Sequence, residues 1–221
     1  MNQSYPEEWG AMDKPQPEHI SLADFLTWEQ QQPERHEWID GTIVHCRGGS
    51  DDHAAIISNL NAALHAAVGT RPCFVRGSDR QLVPRDKENN DLGSFYADLF
   101  VSCASEDRIG GAAHFPTVVI EVLSEHSGQE FTRKQRAYLG SAKLRDYVVI
   151  ESTSRYTHRY SWKMENGVRR LVYCQQRRGP VDVPSLKVSL TFDEIYAGTS
   201  VPAILHPISS ADEEESEIIL D

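Results

Sequence analysis

No run of about 18 apolar residues occurs in the 221-residue chain, which excludes a membrane-spanning helix. The opening segment, Met1 to Pro17, lacks the basic start and apolar stretch of a signal peptide, so no export signal is expected there. Cysteine is sparse. Cys46, Cys73, Cys103 and Cys174 are widely scattered, and no Cys-x-x-Cys pair exists, which removes a zinc knuckle and a disulfide framework. Each lies in or beside an apolar run, so buried reduced thiols and a cytoplasmic location are expected. Positive charge is also short. Lys and Arg number 22 against 33 Asp and Glu, for a formal charge of −11. A broad basic nucleic-acid-binding surface is excluded, and any contact with DNA would be local.

What is present suits a globular domain. Hydrophobic residues make up 39% and charged residues 25%, and a chain of this length buries a core without a metal or disulfide staple. The acidity is uneven. Asp212, Glu213, Glu214, Glu215, Glu217 and Asp221 fall in the last thirteen residues with no base among them, leaving −5 for the remainder. This predicts a flexible arm over 1–20, one domain over 21–200 and a solvated acidic tail over 201–221.

Local patterns predict the elements. Ser21 ahead of Leu22, Phe25, Leu26 and Trp28 signals a short capped helix. Asp40-Gly41 between apolar segments signals a hairpin, because both central turn residues need positive φ. Asp52 is expected to cap a long helix carrying Ile56, Ile57, Leu60, Leu64 and Val68, stopped by Gly69. Strands are expected over Cys73 to Val83 and Phe95 to Cys103, with polar residues 84–93 as a surface loop. Residues 117–123 read as a buried central strand. Ser127 and Glu130 read as a capping box for a helix reaching Leu139. Asp146 to Glu151 is a second buried strand. Tyr156, His158, Tyr160 and Trp162 alternate with polar residues, and a core face is expected there ahead of a base-stacking one. The order of elements gives an α+β, or mixed α/β, fold with one core.

Three residues stand out chemically. Glu121 interrupts Val118-Val119-Ile120-Glu121-Val122-Leu123, and a buried charge there needs a cation, donors or a metal. Asp98 interrupts a second apolar strand. Each also has a plain structural reading, as an ion pair or an outward-facing residue. Two carboxylates on neighbouring buried strands suit a hard divalent ion such as Mg²⁺. Lys134 shares a helical stripe with Glu130 and Tyr138. It reads either as half of an exposed Glu–Lys pair or as a cation reaching back toward the carboxylates. His53 opens the long helix. It reads as a phosphate contact or as a structural or solvated ring, and the latter is expected. Gly48-Gly49-Ser50-Asp51 lacks the lysine of a phosphate loop.

These segments together carry a resemblance. Arg35-His36-Glu37-Trp38-Ile39-Asp40-Gly41 precedes His53. Pro116 to Ser124 precedes Lys134 and Tyr138, and Leu144 to Ile150 follows. Val183 to Val188 precedes Glu194-Ile195-Tyr196. In this order they resemble the putative restriction endonuclease family, much expanded in cyanobacteria and part of the PD-(D/E)xK nuclease superfamily. The resemblance covers about residues 21 to 200. It implies a restriction-endonuclease-like core, with a central mixed β-sheet flanked by helices. It implies an endonuclease that hydrolyses DNA with Mg²⁺, or Mn²⁺ in its place, as a homodimer. Asp98 matches the aspartate of the family's Pro-Asp motif, and Glu121 the glutamate of its Glu-Val-Leu-Ser motif. Both would bind the metal together with the Val122 carbonyl. Lys134 matches a lysine moved to the following helix, since Leu123 stands where the wider superfamily places it. Glu37 matches the early acidic residue of the site, and Tyr138 a recurrent tyrosine that packs or supports the lysine.

Three departures mark this chain. Ala97 replaces the proline and Glu130 replaces an aspartate. The turn between Glu121 and Lys134 is one residue shorter. That turn leaves open whether Lys134 faces the carboxylates or is rotated away. Two classes of function follow: a metal-dependent endonuclease, or an inactive nuclease fold that binds nucleic acid or protein.

Overall fold

The computed structural model describes residues 19–46, 48–124, 129–203 and 213–218. Ser21 caps α1 (Leu22–Glu29) by accepting the Asp24 N–H. Strands β1 (His36–Ile39) and β2 (Thr42–His45) form the expected hairpin, with Asp40 and Gly41 both at positive φ. Ser50, not Asp52, caps α2 (Asp51–Val68) by accepting the His53 N–H. Asp52 instead accepts from the Ser200 N–H at 2.8 Å and from the Ser200 hydroxyl. Both residues suit a cap, and the one whose backbone stays extended takes the position.

The remaining strands are β3 (Phe74–Gly77), β4 (Leu99–Ser102), β5 (Pro116–Leu123), β6 (Asp146–Glu151), β7 (Thr157–Glu165), β8 (Val168–Gln176), β9 (Pro180–Val183), β10 (Val188–Thr191) and β11 (Glu213–Ile218). Helix α3 (Gln129–Gly140) links β5 to β6, and α4 (Phe192–Ile195) follows β10. The central sheet runs β8-β7-β6-β5-β4-β3, with β11 added beyond β8. Only β5 and β6 pair in parallel within it. The crossover through α3 allows that pairing, whereas the other neighbours connect in antiparallel fashion.

Two cores sandwich the sheet. On one face Ile56, Leu60 and Leu64 of α2 meet Val118, Ile120 and Val122 of β5. On the other, Tyr138 of α3 meets Phe100, Val119, Tyr147 and Val149. Strand alternation explains the split, since even positions of β5 face α2 and odd positions face α3. Glu121 therefore points toward α3.

Four expectations change. The strands expected at 73–83 and 95–103 shrink to β3 and β4, because residues between them pair only through isolated bridges such as Leu82 with Phe95. Cys73 and Cys103 are not free thiols but a disulfide, with Cα atoms 4.0 Å apart. They flank the Phe74–Ser102 pair of β3 and β4, so register brings together residues 30 positions apart. The cytoplasmic expectation loses the support it drew from reduced cysteines, since disulfides are rare in reducing compartments. Third, the acidic tail is not wholly solvated: residues 213–218 pair with β8 from Gln176 back to Leu171. An open sheet edge offers main-chain donors and acceptors whatever the side-chain charge. Fourth, the aromatic residues of β7 are the half-buried set, while Thr157, Arg159 and Ser161 are buried. Asp146 accepts the Ser161 hydroxyl at 2.6 Å and Arg159 donates to Ser161 at 2.8 Å, while Thr157 Oγ1 and Arg159 Nε on the same face are buried without a hydrogen-bond partner. Ser127, the capping residue of the expected Ser127–Glu130 box, lies outside the described residues.

Candidate active site

Four elements converge at the C-terminal end of β5. Glu121 lies inside the sheet and is 6% exposed. Asp98, just before β4, accepts the Val122 N–H on Oδ2 at 2.7 Å. That bond ties the aspartate to the residue after Glu121. Lys134 reaches in from α3, donating to Glu37 Oε1 at 2.6 Å and standing 3.0 Å from Glu121 Oε1. Tyr138, one helical turn further along, donates its hydroxyl to the same Glu121 oxygen at 3.0 Å. Glu37 of β1 also accepts the Tyr96 N–H at 2.8 Å.

Glu37, Asp98, Glu121 and Lys134 thus meet, although they are spread over almost a hundred residues. The shortened turn does not rotate Lys134 away. Glu130, on the same stripe of α3, stays exposed and outside the cluster. Glu37 spends one oxygen on Lys134 and Tyr96, which makes it a holder of the lysine.

Charge in this pocket is unbalanced. Burial pushes the Glu121 carboxyl up to about 8; Lys134 opposes that shift, and the Asp98 and Glu37 charges add to it. Burial alone would favour a neutral Lys134, but Glu121 and Glu37 outweigh it and hold the ammonium well above its ordinary range. Three acids share one ammonium in surroundings where charges interact strongly, so ionising all three together is costly.

His53 is the member that sequence reasoning set aside. The cap at Ser50 places it in the first turn of α2, and its Nε2 lies 3.3 Å from Asp98 Oδ1. The Asp98 hydrogen bond raises its affinity for a proton against the opposing effect of burial, and the Asp98 and Glu121 charges and the Val122 backbone add to the rise. Its sequence signals were its position at the start of a helix and its place in the family resemblance, and neither fixes what the ring faces.

Beside Asp98 and His53 opens a cleft of about 740 Å³, lined also by Arg35, His45, Cys46 and Tyr96. Burial pushes the Cys46 thiol up to about 12, so it is no nucleophile at neutral pH.

The donor set fits a small divalent cation. Asp98, Glu121 and the Val122 carbonyl are hard oxygen donors, and the surplus negative charge is of the right sign. Among the described residues no three His, Cys, Asp or Glu side chains form a cage for a metal. An ion such as Mg²⁺ binds through one or two carboxylates and keeps several waters.

The mixed sheet, its flanking helices and this carboxylate–lysine cluster define a nuclease-like α+β domain. Residues 22–193 match the Uma2 family, described as "Putative restriction endonuclease", and the chain belongs to that family. It is 30% identical over 182 residues to uncharacterized protein slr1290 of Synechocystis sp., covering 81% of this chain and 92% of that protein. It is 29% identical over 136 residues to uncharacterized protein sll1609 of the same organism, covering 60% and 75%. Its fold is similar to the crystal structure of a putative nuclease belonging to DUF820 from Anabaena variabilis. The TM-score is 0.61 at 19% identity, over 80% of this chain and 98% of that one. Among the described residues no helix is long and apolar enough to cross a membrane.

Proposed function

We propose that this protein is a metal-dependent endonuclease that hydrolyses phosphodiester bonds of DNA. Asp98, Glu121 and the Val122 carbonyl would hold Mg²⁺, with Mn²⁺ as a substitute. Bound there, the ion supplies Lewis-acid polarisation of the phosphate and a water of lowered pKa. The chain's own residues do the rest. Lys134 places an ammonium where charge develops on the phosphate and orients the attacking water. Glu37 holds Lys134 in that position. The Tyr138 hydroxyl fixes one Glu121 oxygen and leaves the other for the ion. The Asp98–Val122 hydrogen bond keeps the two carboxylates in register. DNA enters by the cleft beside His53, where contact is local, as the net acidity of the chain demands. We propose a homodimer for cutting both strands, which sedimentation of the full chain would detect.

The observation that carries this reading is the Lys134 ammonium set between Glu37 and Glu121. The test is cleavage of plasmid and oligonucleotide DNA with Mg²⁺ or Mn²⁺, for wild type beside Glu121→Ala and Lys134→Ala. Metal-dependent cutting lost in both variants is expected. Cutting by Glu121→Ala at the wild-type rate would remove the site. No cutting and no metal binding by any protein would move the assignment to a non-catalytic binding module.

A further inference from the structure

We propose that His53 is a positioning residue that stands in for the ion. Its ring lies against Asp98, so a divalent cation held there enters by displacing the ring. The inference rests on the metal site proposed above and says how that site is kept assembled before the ion arrives.

Three observations support it. First, the ring lies against the proposed ligands: Nε2 is 3.3 Å from Asp98 Oδ1, and the Glu121 charge and the Val122 backbone are near enough to add to its affinity for a proton. A side chain that merely capped the helix would have no reason to meet this set. Second, the other ring nitrogen, Nδ1, is buried without a hydrogen-bond partner. Nothing on that side anchors the ring, and an unpaired buried polar atom costs free energy, so the seat is held from the Asp98 side alone. Third, the seat is built by a glycine. A Cβ on Gly49 would lie 2.3 Å from His53 Cδ2 and 2.5 Å from Cγ. Any larger residue there would push the ring off Asp98. Gly49 therefore serves the histidine, although the segment does not make a phosphate loop.

The ring also has somewhere to go. Gly48, Gly49, Ala54 and Ser78 leave the cleft open next to it. Asp98 lies close enough to Glu121 for their charges to interact, and a donor beside Asp98 reduces the cost of its charge.

The test is calorimetric titration of the full chain with Mn²⁺, with Mg²⁺ as a repeat. Wild type is compared with His53→Ala, Gly49→Ala and Glu121→Gln, after circular dichroism has shown that each variant is folded. His53→Ala should bind about tenfold more tightly, the size of one charge-assisted hydrogen bond no longer broken on binding. Gly49→Ala should move in the same direction with the imidazole still present, because its Cβ evicts the ring. Equal or weaker binding by His53→Ala would overturn the proposal, and a large loss would make the histidine a ligand. If Glu121→Gln loses binding while His53→Ala only equals wild type, the metal site stands and this inference falls. If no protein binds either ion, both fall together.

Discussion

Two buried acids sit on adjacent parallel strands and live in opposite ways. Asp146, at the start of β6, is 1% exposed and surrounded by neutral donors. It accepts the Ser161 hydroxyl at 2.6 Å, the Ser185 N–H at 2.9 Å and the Ser185 hydroxyl. Glu121, near the end of β5, is 6% exposed and meets Lys134 and Tyr138. It must also tolerate the charges of Asp98 and Glu37, and with burial these raise its carboxyl to about 8. Asp146 pins the two strand ends to the segment at Ser185. Glu121 sits where burial and the neighbouring acids make its ionisation costly. A buried carboxylate with complete hydrogen bonds is a structural device, whereas one whose proton affinity is raised by burial and like charges is a candidate functional group.

Exchanging each acid for a neutral partner should separate these roles. Glu121→Gln should lower DNA cleavage about a thousandfold or more, the scale of losing a principal transition-state stabiliser. Its thermal midpoint should match or exceed that of wild type, since a like-charge contact is removed. A steady-state rate within tenfold of wild type would break the comparison. Asp146→Ala should do the reverse. Three donors lose their acceptor, and stability should fall by about 3 kcal/mol in urea titration, while cleavage per folded molecule stays near wild type. Asp146 pairs with Val118 and Glu121 with Val149, so the two acids are separated by about 10 Å along the strands.

The pH dependence sharpens the same contrast. The folded-state pKa of Glu121 lies above its ordinary value, so the protein binds that proton more tightly than the unfolded chain does. The site's contribution to stability is greatest below the ordinary carboxylate range and is lost as pH rises to about 8. The stability gap between Glu121→Gln and wild type should widen over that interval and then level. Thermal melts in metal-free buffer from pH 5 to pH 9, conditions chosen to span that interval, would show it. A gap that narrows with rising pH would mean Lys134 dominates the pair.

Much of this was legible in the chain. Glu121 and Asp98 were visible because a charge inside an apolar strand breaks the pattern of its neighbours. The hairpin at Asp40-Gly41 and the helix over 51–68 followed from turn chemistry and spacing. What stayed hidden depended on register or on rotation. Lys134 could face inward or outward by its helical stripe alone, and only packing of Tyr138 into the core decides it. The Cys73–Cys103 bond needs the β3–β4 register. Which face of the half-buried strand β7 is covered stayed hidden too, because alternation shows two faces and does not choose between them. His53 was discounted since its neighbours Asp51 and Asp52 suggested solvent, whereas the cap at Ser50 turns its ring toward Asp98.

That cap sets the smallest of the expected effects. Ser50 accepts the His53 N–H at 3.2 Å, so it satisfies one of the free donors at the start of α2 and also fixes the backbone that carries the histidine. Ser50→Ala should cost about 1 kcal/mol, the usual price of a lost cap, read as a lower urea midpoint with an unchanged slope. Ser50→Asp restores an acceptor and should recover most of the loss. Because the first turn of α2 also seats His53, Ser50→Ala should bind Mn²⁺ slightly more tightly than wild type, in the direction of Gly49→Ala and by less. A loss of stability with no change in metal affinity would show that the helix start and the ion site are uncoupled. The cap would then belong with Asp146, among the parts that only hold the fold together.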